Sequence, residues 1–188
     1  SKKRNSADYG QIYDSVRTFG AGKEIVPSDN FEEGNSTNNS TALGYISSVT
    51  SDGFVLTEGN HGTSSIRSLL LNHSGSTHVA WGWKANGGTT STSTAGTTTS
   101  TVQANTKSGF SIIQYAGNST AGSTIGHGLT AAPDFILFKA LSGGENWAVY
   151  HRTLGGTKAL ILNTTSAEVT NSNRFNDTDP SATVITLG

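Results

Sequence analysis

The side chains able to do chemistry in this chain are few, and their spacing assembles no familiar catalytic set. The five histidines, His61, His73, His78, His127 and His151, contain no H-x-x-x-H or H-E-x-x-H pair, so the helical histidine pair that holds a catalytic zinc is missing. There is no G-x-S-x-G elbow, no P-loop and no strand followed by G-x-G-x-x-G. Serine is so common that a Ser/His/Asp set can be drawn on paper from many residues, and so carries no information. The paired carboxylates Glu32/Glu33 and Asp177/Asp179 sit in polar stretches, where solvated turns suit them better than acid/base work. Asp29, Asn30, Glu32 and Glu33 could offer oxygen ligands to calcium, but without the D-x-[DN]-x-[DN]-G spacing a solvated loop is expected instead. His127, between Gly126 and Gly128, is expected to be a structural hydrogen-bonding group in a tight turn. No metal or other cofactor is implied.

The aromatic residues are the more promising groups. Trp81 and Trp83 alternate in "GSTHVAWGWK" on one face with Thr77 and Val79. Two such indoles are either a large core contribution or an exposed platform on which sugar rings stack, and burial in the core is the expectation. In "NWAVYH", Trp147, Val149 and His151 share one face, and Ala148 and Tyr150 the other. Trp81, Trp83, Trp147 and Tyr150 are therefore the candidate glycan-binding residues.

Short strands must position these rings. "FSIIQY", "DFILFK", "NWAVYH" and "KALILN" are apolar or alternating runs bounded by Gly, Pro and Asn clusters. "DGFVLTEG" and "SIRSLLLN" read as strands of the first half. Residues 85–108, "ANGGTTSTSTAGTTTSTVQANTKS", read as a low-complexity loop followed by an edge strand. No helix of normal length fits. The expected fold is an all-β, antiparallel β-sandwich, jelly-roll-like.

Composition agrees. Charged residues make up 13% of the 188-residue chain, about half the roughly 25% usual in soluble domains. Ser and Thr take their place, and these suit strands and turns better than helices. The net charge is -1, and no basic stripe interleaved with aromatics is present, which disfavours nucleic acid as a partner. Lys2, Lys3 and Arg4 read as a solvated end. No run has the roughly 18 apolar residues of a membrane-spanning helix, so membrane insertion is not expected. Cysteine and methionine are absent, and a chain starting at Ser1 reads as processed, trimmed or part of something longer.

The opening also reads as a degenerate copy of a later stretch. Setting Tyr13 against Tyr150, Asp14 against His151, Lys23 against Lys158 and Ile25 against Leu160 keeps order and nearly keeps spacing. "SDGFVLTEG" then matches "SATVITLG", a repeat with a period of about 130 residues. The expected organisation is the second half of one unit over 1–84, a connection over 85–108, and a second unit over 109–188 lacking its last strand.

"WKANGG", "GFSIIQYAGNSTAGSTIGHGLTAAPDFILFK" and "NWAVYHRTLGGTKALILNTTSAEVT", with the "YDSVR" and "DGFVL" of the first half, resemble a repeat in large virion appendage proteins of tailed bacteriophages, notably marine phages of cyanobacteria. The resemblance covers nearly the whole chain, most closely Val79 to Thr170. It departs at Thr18 to Gly22 and at Pro27 to Ser47, both loop-like. It implies a non-catalytic structural protein of the virion exterior, such as a tail fibre, assembling with copies of itself as a homotrimer or fibre. Other virion proteins and a host-surface glycan or receptor would be its partners. The alternatives are a carbohydrate-binding or adhesin module of a bacterial surface and a capsid-decorating head fibre. A glycan-degrading enzyme is the outlying reading.

Overall fold

The computed structural model describes residues 2–3, 9–34, 40–86 and 89–188. The chain forms two compact units, residues 1–82 with 139–147 (unit 1) and residues 83–138 with 148–188 (unit 2). The architecture is all-β: among the described residues every strand ladder is antiparallel, and the two α-helices are single turns.

Unit 1 contains β1 (Lys2–Lys3), α1 (Ser40–Leu43), β2 (Tyr45–Val49), β3 (Phe54–Thr57) and β4 (His78–Val79). β2 and β3 form a hairpin whose register shifts between Ile46 and Ser48, and β4 pairs with β1. The apolar core is Leu43, Leu70 and Leu71, with Ile46, Leu56, Ile66 and Leu69 against it. "SIRSLLLN" is not the expected strand. It begins with a 3-10 turn at Ser64–Ile66 and stays in turns, with Leu69 N–H donating to Ile66 O (3.1 Å) and Asn72 N–H to Ser68 O (2.9 Å). The reason lies in the core: Leu70 and Leu71 are both buried, whereas a strand would send neighbours to opposite faces. The strand expected through "GSTHVAWGWK" is likewise only His78–Val79, paired with β1.

A polar cluster completes unit 1. Arg17 pairs with Asp14 (2.5 Å) and Glu33 (2.9 Å), and buried Glu24 accepts from the backbone N–H (3.1 Å) and the hydroxyl of Ser40. The segment 139–147 joins it by backbone bonding of Glu33 N–H to Leu141 O (3.0 Å).

Unit 2 contains β5 (Ser91–Ser93), β6 (Ser100–Asn105), β7 (Phe110–Tyr115), β8 (Thr124–Gly126), β9 (Phe135–Phe138), β10 (Ala148–His151), β11 (Lys158–Ile161), β12 (Val169–Thr170), α2 (Ser172–Phe175) and β13 (Val184–Thr186). Three sheets result, with strand orders β5-β6-β7, β8-β13 and β12-β11-β10-β9. β6 was expected at an edge. It is the central strand of its sheet, since β5 forms within the Ser/Thr-rich stretch and supplies a second neighbour.

The β8-β13 pair lies on one face of β5-β6-β7 as a second layer. Ser100 Oγ donates to Gly126 O (2.8 Å) and Ser111 Oγ to His127 O (2.5 Å). Gly128, at φ +72°, permits this approach, because a Cβ there would press on Val102 and Ala104. In the four-stranded sheet the inner face packs Ala148, Tyr150 and Ala159 against Phe175 of α2, with Ile136, Phe138 and Val169 around them.

A few local features of unit 1 have a counterpart in unit 2. Ile12 and Ile25 form a β-bridge, and Val149 and Leu160 are cross-strand partners. α1 is followed by the β2-β3 hairpin and then Gly59, whereas α2 is followed by β13, which pairs with β8 and ends at Thr186, and then Gly188. A Cβ on Gly59 would overlap the backbone of Ala42 in α1, and one on Gly188 the backbone of Ser172 in α2. Asp14 Oδ1 accepts the N–H of Val16 (3.1 Å) as His151 Nδ1 accepts that of Thr153 (3.2 Å).

Candidate functional site

The four aromatic candidates separate cleanly by burial. Trp147 is 3% exposed, and its Nε1–H donates to Val26 O (2.9 Å) and Asp29 O (3.1 Å). Tyr150 is 2% exposed, and its hydroxyl donates to Asp179 Oδ1 (3.1 Å), which also accepts Gly156 N–H (2.7 Å). Burial first, then the Asp179 carboxylate, pushes the Tyr150 pKa up to about 12. These two rings are structural and present no face to an external sugar, which corrects their assignment as glycan-binding residues. Trp81 and Trp83 depart from expectation the other way: they are 65% and 69% exposed and do not belong to the core. The short β4 explains this, because the chain after Val79 has left the ladder whose alternation would have turned both indoles inward.

Trp83 belongs to the candidate site in unit 2. The β6–β7 hairpin closes on the pair Asn105 and Phe110, with Thr106 to Gly109 forming the turn. Gly109 takes φ +68°, which a side chain would disfavour, and Asn105 Oδ1 accepts Ser108 N–H (3.2 Å), fixing the turn's shape. Lys107 is thereby held at an exposed tip. The other arm of the same amide, Asn105 Nδ2, donates to Lys84 O (3.1 Å) and ties down the segment carrying Trp83. The Trp83 indole stacks beside Phe110, with ring centroids 6.3 Å apart and planes 23° apart. Next to Lys84, at the hairpin end, lies an open depression of about 430 Å³ lined by Lys84, Asn86, Ala104, Asn105, Thr106 and Lys107.

The electrostatics of this sheet are one-sided. No Asp or Glu occurs between Glu58 and Asp134, so β5-β6-β7 and its loops carry only Lys84 and Lys107 as fixed charges. An exposed ring pair, amide and hydroxyl groups and two ammonium groups can stack on, hydrogen-bond and neutralise a ligand. They hold no nucleophile with an adjacent base.

A second depression in unit 2, about 230 Å³, is lined by Tyr115, Asn118, Phe138, Arg174 and Phe175 among others. Tyr115 there is raised in pKa by burial.

The remaining candidates have structural partners. His127 is buried. Its Nδ1 accepts Leu129 N–H (3.1 Å), which leaves the proton on Nε2 to donate to Ser181 O (3.2 Å). Burial lowers its pKa, in keeping with a neutral ring. In the acidic loop, Glu33 pairs with Arg17 and Lys23, Glu32 accepts Gly143 N–H (3.2 Å), and Asp29 accepts Asn30 N–H (2.8 Å). Among the described residues no three His, Asp or Glu side chains lie close enough together to hold a metal ion.

The family model of a domain of unknown function, DUF7483, matches residues 1–188. The chain belongs to the DUF7483 family. No curated protein and no solved structure matches this DUF7483 chain. Sequence reasoning missed Phe110, Lys84, Asn105 and Lys107 of the DUF7483 chain's candidate site. One signal could have found them: the stretch free of carboxylates that surrounds both lysines.

Proposed function

We propose that this DUF7483 chain is a non-catalytic structural segment of an external virion appendage of a tailed bacteriophage, which assembles with copies of itself and presents a surface to the host. The observation that carries the reading is the outer face of the β12-β11-β10-β9 sheet. Its inner face already packs on Phe175. The register sets Val149 between Leu137 and Leu160, so all three share the outer face with Phe135, and Phe135, Leu137 and Leu160 are exposed. An antiparallel sheet covered on one side ordinarily turns polar side chains to water on the other. The middle of this outer face is an apolar strip, with Val149 buried between its neighbours and His151 and Lys158 at the margins, and such a strip fits a protein whose second face is covered by assembly. The sequence resemblance to phage appendage repeats supports the virion setting.

The test is immunogold labelling of intact particles of a phage that encodes this chain, with antibody raised against the 188 residues. Label at regular positions on an external appendage is the expected result. Label confined to the lysate and absent from purified particles would overturn the reading. The exposed Trp81 and Trp83 favour a second reading, a carbohydrate-binding module of a bacterial surface, and label on uninfected cell envelopes would move the weight there.

A further inference from the structure

We propose that the Trp83–Phe110 stack and the neighbouring cleft bind an acidic, uronate-bearing polysaccharide, with a sugar ring on the Trp83 face and its carboxylate on Lys84 and Lys107. This deepens the host-contact reading and rests on it only for where the ligand is met.

The platform is built rather than incidental. Asn105 holds the Lys84 backbone with one end of its amide and the hairpin turn with the other, so one side chain positions both the indole-bearing segment and the loop that carries Lys107. Phe110 supports the indole from the side, and Trp83 remains 69% exposed. An exposed indole costs solubility unless something covers it, and it offers a flat apolar surface to the C–H face of a sugar. Asn86, Asn105 and Thr106 line the cleft with the donors and acceptors that sugar hydroxyls require.

Charge selects the ligand class. Lys84 and Lys107 face the cleft, and the sequence from Asn60 to Pro133 holds no carboxylate to neutralise them. A neutral glycan would leave both ammonium groups unused. A nucleic acid would place a phosphate at every step, and two lysines match few of them. Two ammonium groups acting as point charges, with no arginine fork in the lining, suit single carboxylates on alternate sugars better than a densely sulfated chain.

The experiment is isothermal titration calorimetry of the full 188-residue chain with oligogalacturonate, alongside maltohexaose, dextran sulfate and oligo(dT) at equal ionic strength. Oligogalacturonate is expected to bind, with maltohexaose and oligo(dT) weaker by on the order of tenfold or more. Trp83→Ala should weaken oligogalacturonate on the order of tenfold, whereas Trp81→Ala should leave it within about twofold. The double variant Lys84→Glu/Lys107→Glu changes only exposed side chains and so keeps the fold. It should abolish oligogalacturonate binding, and the wild-type affinity should fall as salt is raised. Absence of oligogalacturonate binding, equal binding of maltohexaose, tighter binding of dextran sulfate or oligo(dT), or an unaffected charge-reversed variant would each overturn the proposal. None of these outcomes bears on whether the chain labels an appendage, so the two claims fail separately.

Discussion

Gly59 has no room for a side chain, because a Cβ there would overlap the backbone of Ala42 in α1, whereas Gly62 faces open space. Backbone cannot be moved aside as a flexible side chain can. Gly59→Ala should therefore cost about 1–3 kcal/mol, and Gly62→Ala should change stability by less than about 0.5 kcal/mol; urea denaturation of both variants reads the contrast. His127 offers a test of a different kind. Burial lowers its pKa in the fold, so between its folded pKa and the usual value of about 6.5 the unfolded chain binds the extra proton. Its contribution is complete above about pH 6.5 and is lost as pH falls. The fall in unfolding free energy from pH 7 to pH 5 should thus be shallower in His127→Asn, whose amide oxygen can still accept Leu129 N–H. An unchanged slope would contradict the neutral, buried ring.

At the scale of elements, Phe175 ties α2 to the four-stranded sheet, with its ring edge-on to Tyr150 at 5.6 Å and tilted against Phe138 at 5.7 Å. Phe175→Ala should destabilise unit 2 by about 3–5 kcal/mol, visible as a lowered urea midpoint in the near-ultraviolet signal of its tyrosines. Much of unit 2 was legible in the sequence. β7 coincides with "FSIIQY", and β9, β10 and β11 each fall inside an expected run, because apolar alternation between Gly and Pro clusters is a local signal. β5 and the central place of β6 were not legible, since Ser and Thr read equally as loop or strand until a partner is known. "SIRSLLLN" misled for a related reason: three leucines in a row suit a buried strand, but here they cover α1 from a series of turns. The indoles of Trp81 and Trp83 looked like core because alternation was assumed to continue past Val79. The β4 ladder ends at Val79, and no local signal along the chain marks that point. The burial of Trp147 by carbonyls more than a hundred residues away is non-local, and no window along the chain contains it.

For the whole molecule, the chain forms two compact units, residues 1–82 with 139–147 and residues 83–138 with 148–188. The proposed self-assembly would use the outer face of the β12-β11-β10-β9 sheet. The most direct measurement is the solution mass of the 188-residue chain by size-exclusion chromatography with light scattering over a concentration series. It should be made on the wild type and on Leu137→Lys/Leu160→Lys, whose replaced side chains are exposed on either side of Val149. The account predicts a wild-type multimer of fixed copy number, and a variant that keeps its circular dichroism spectrum but runs as a monomer. A wild type that stays monomeric at every concentration, or a variant that assembles as well as the wild type, would contradict it.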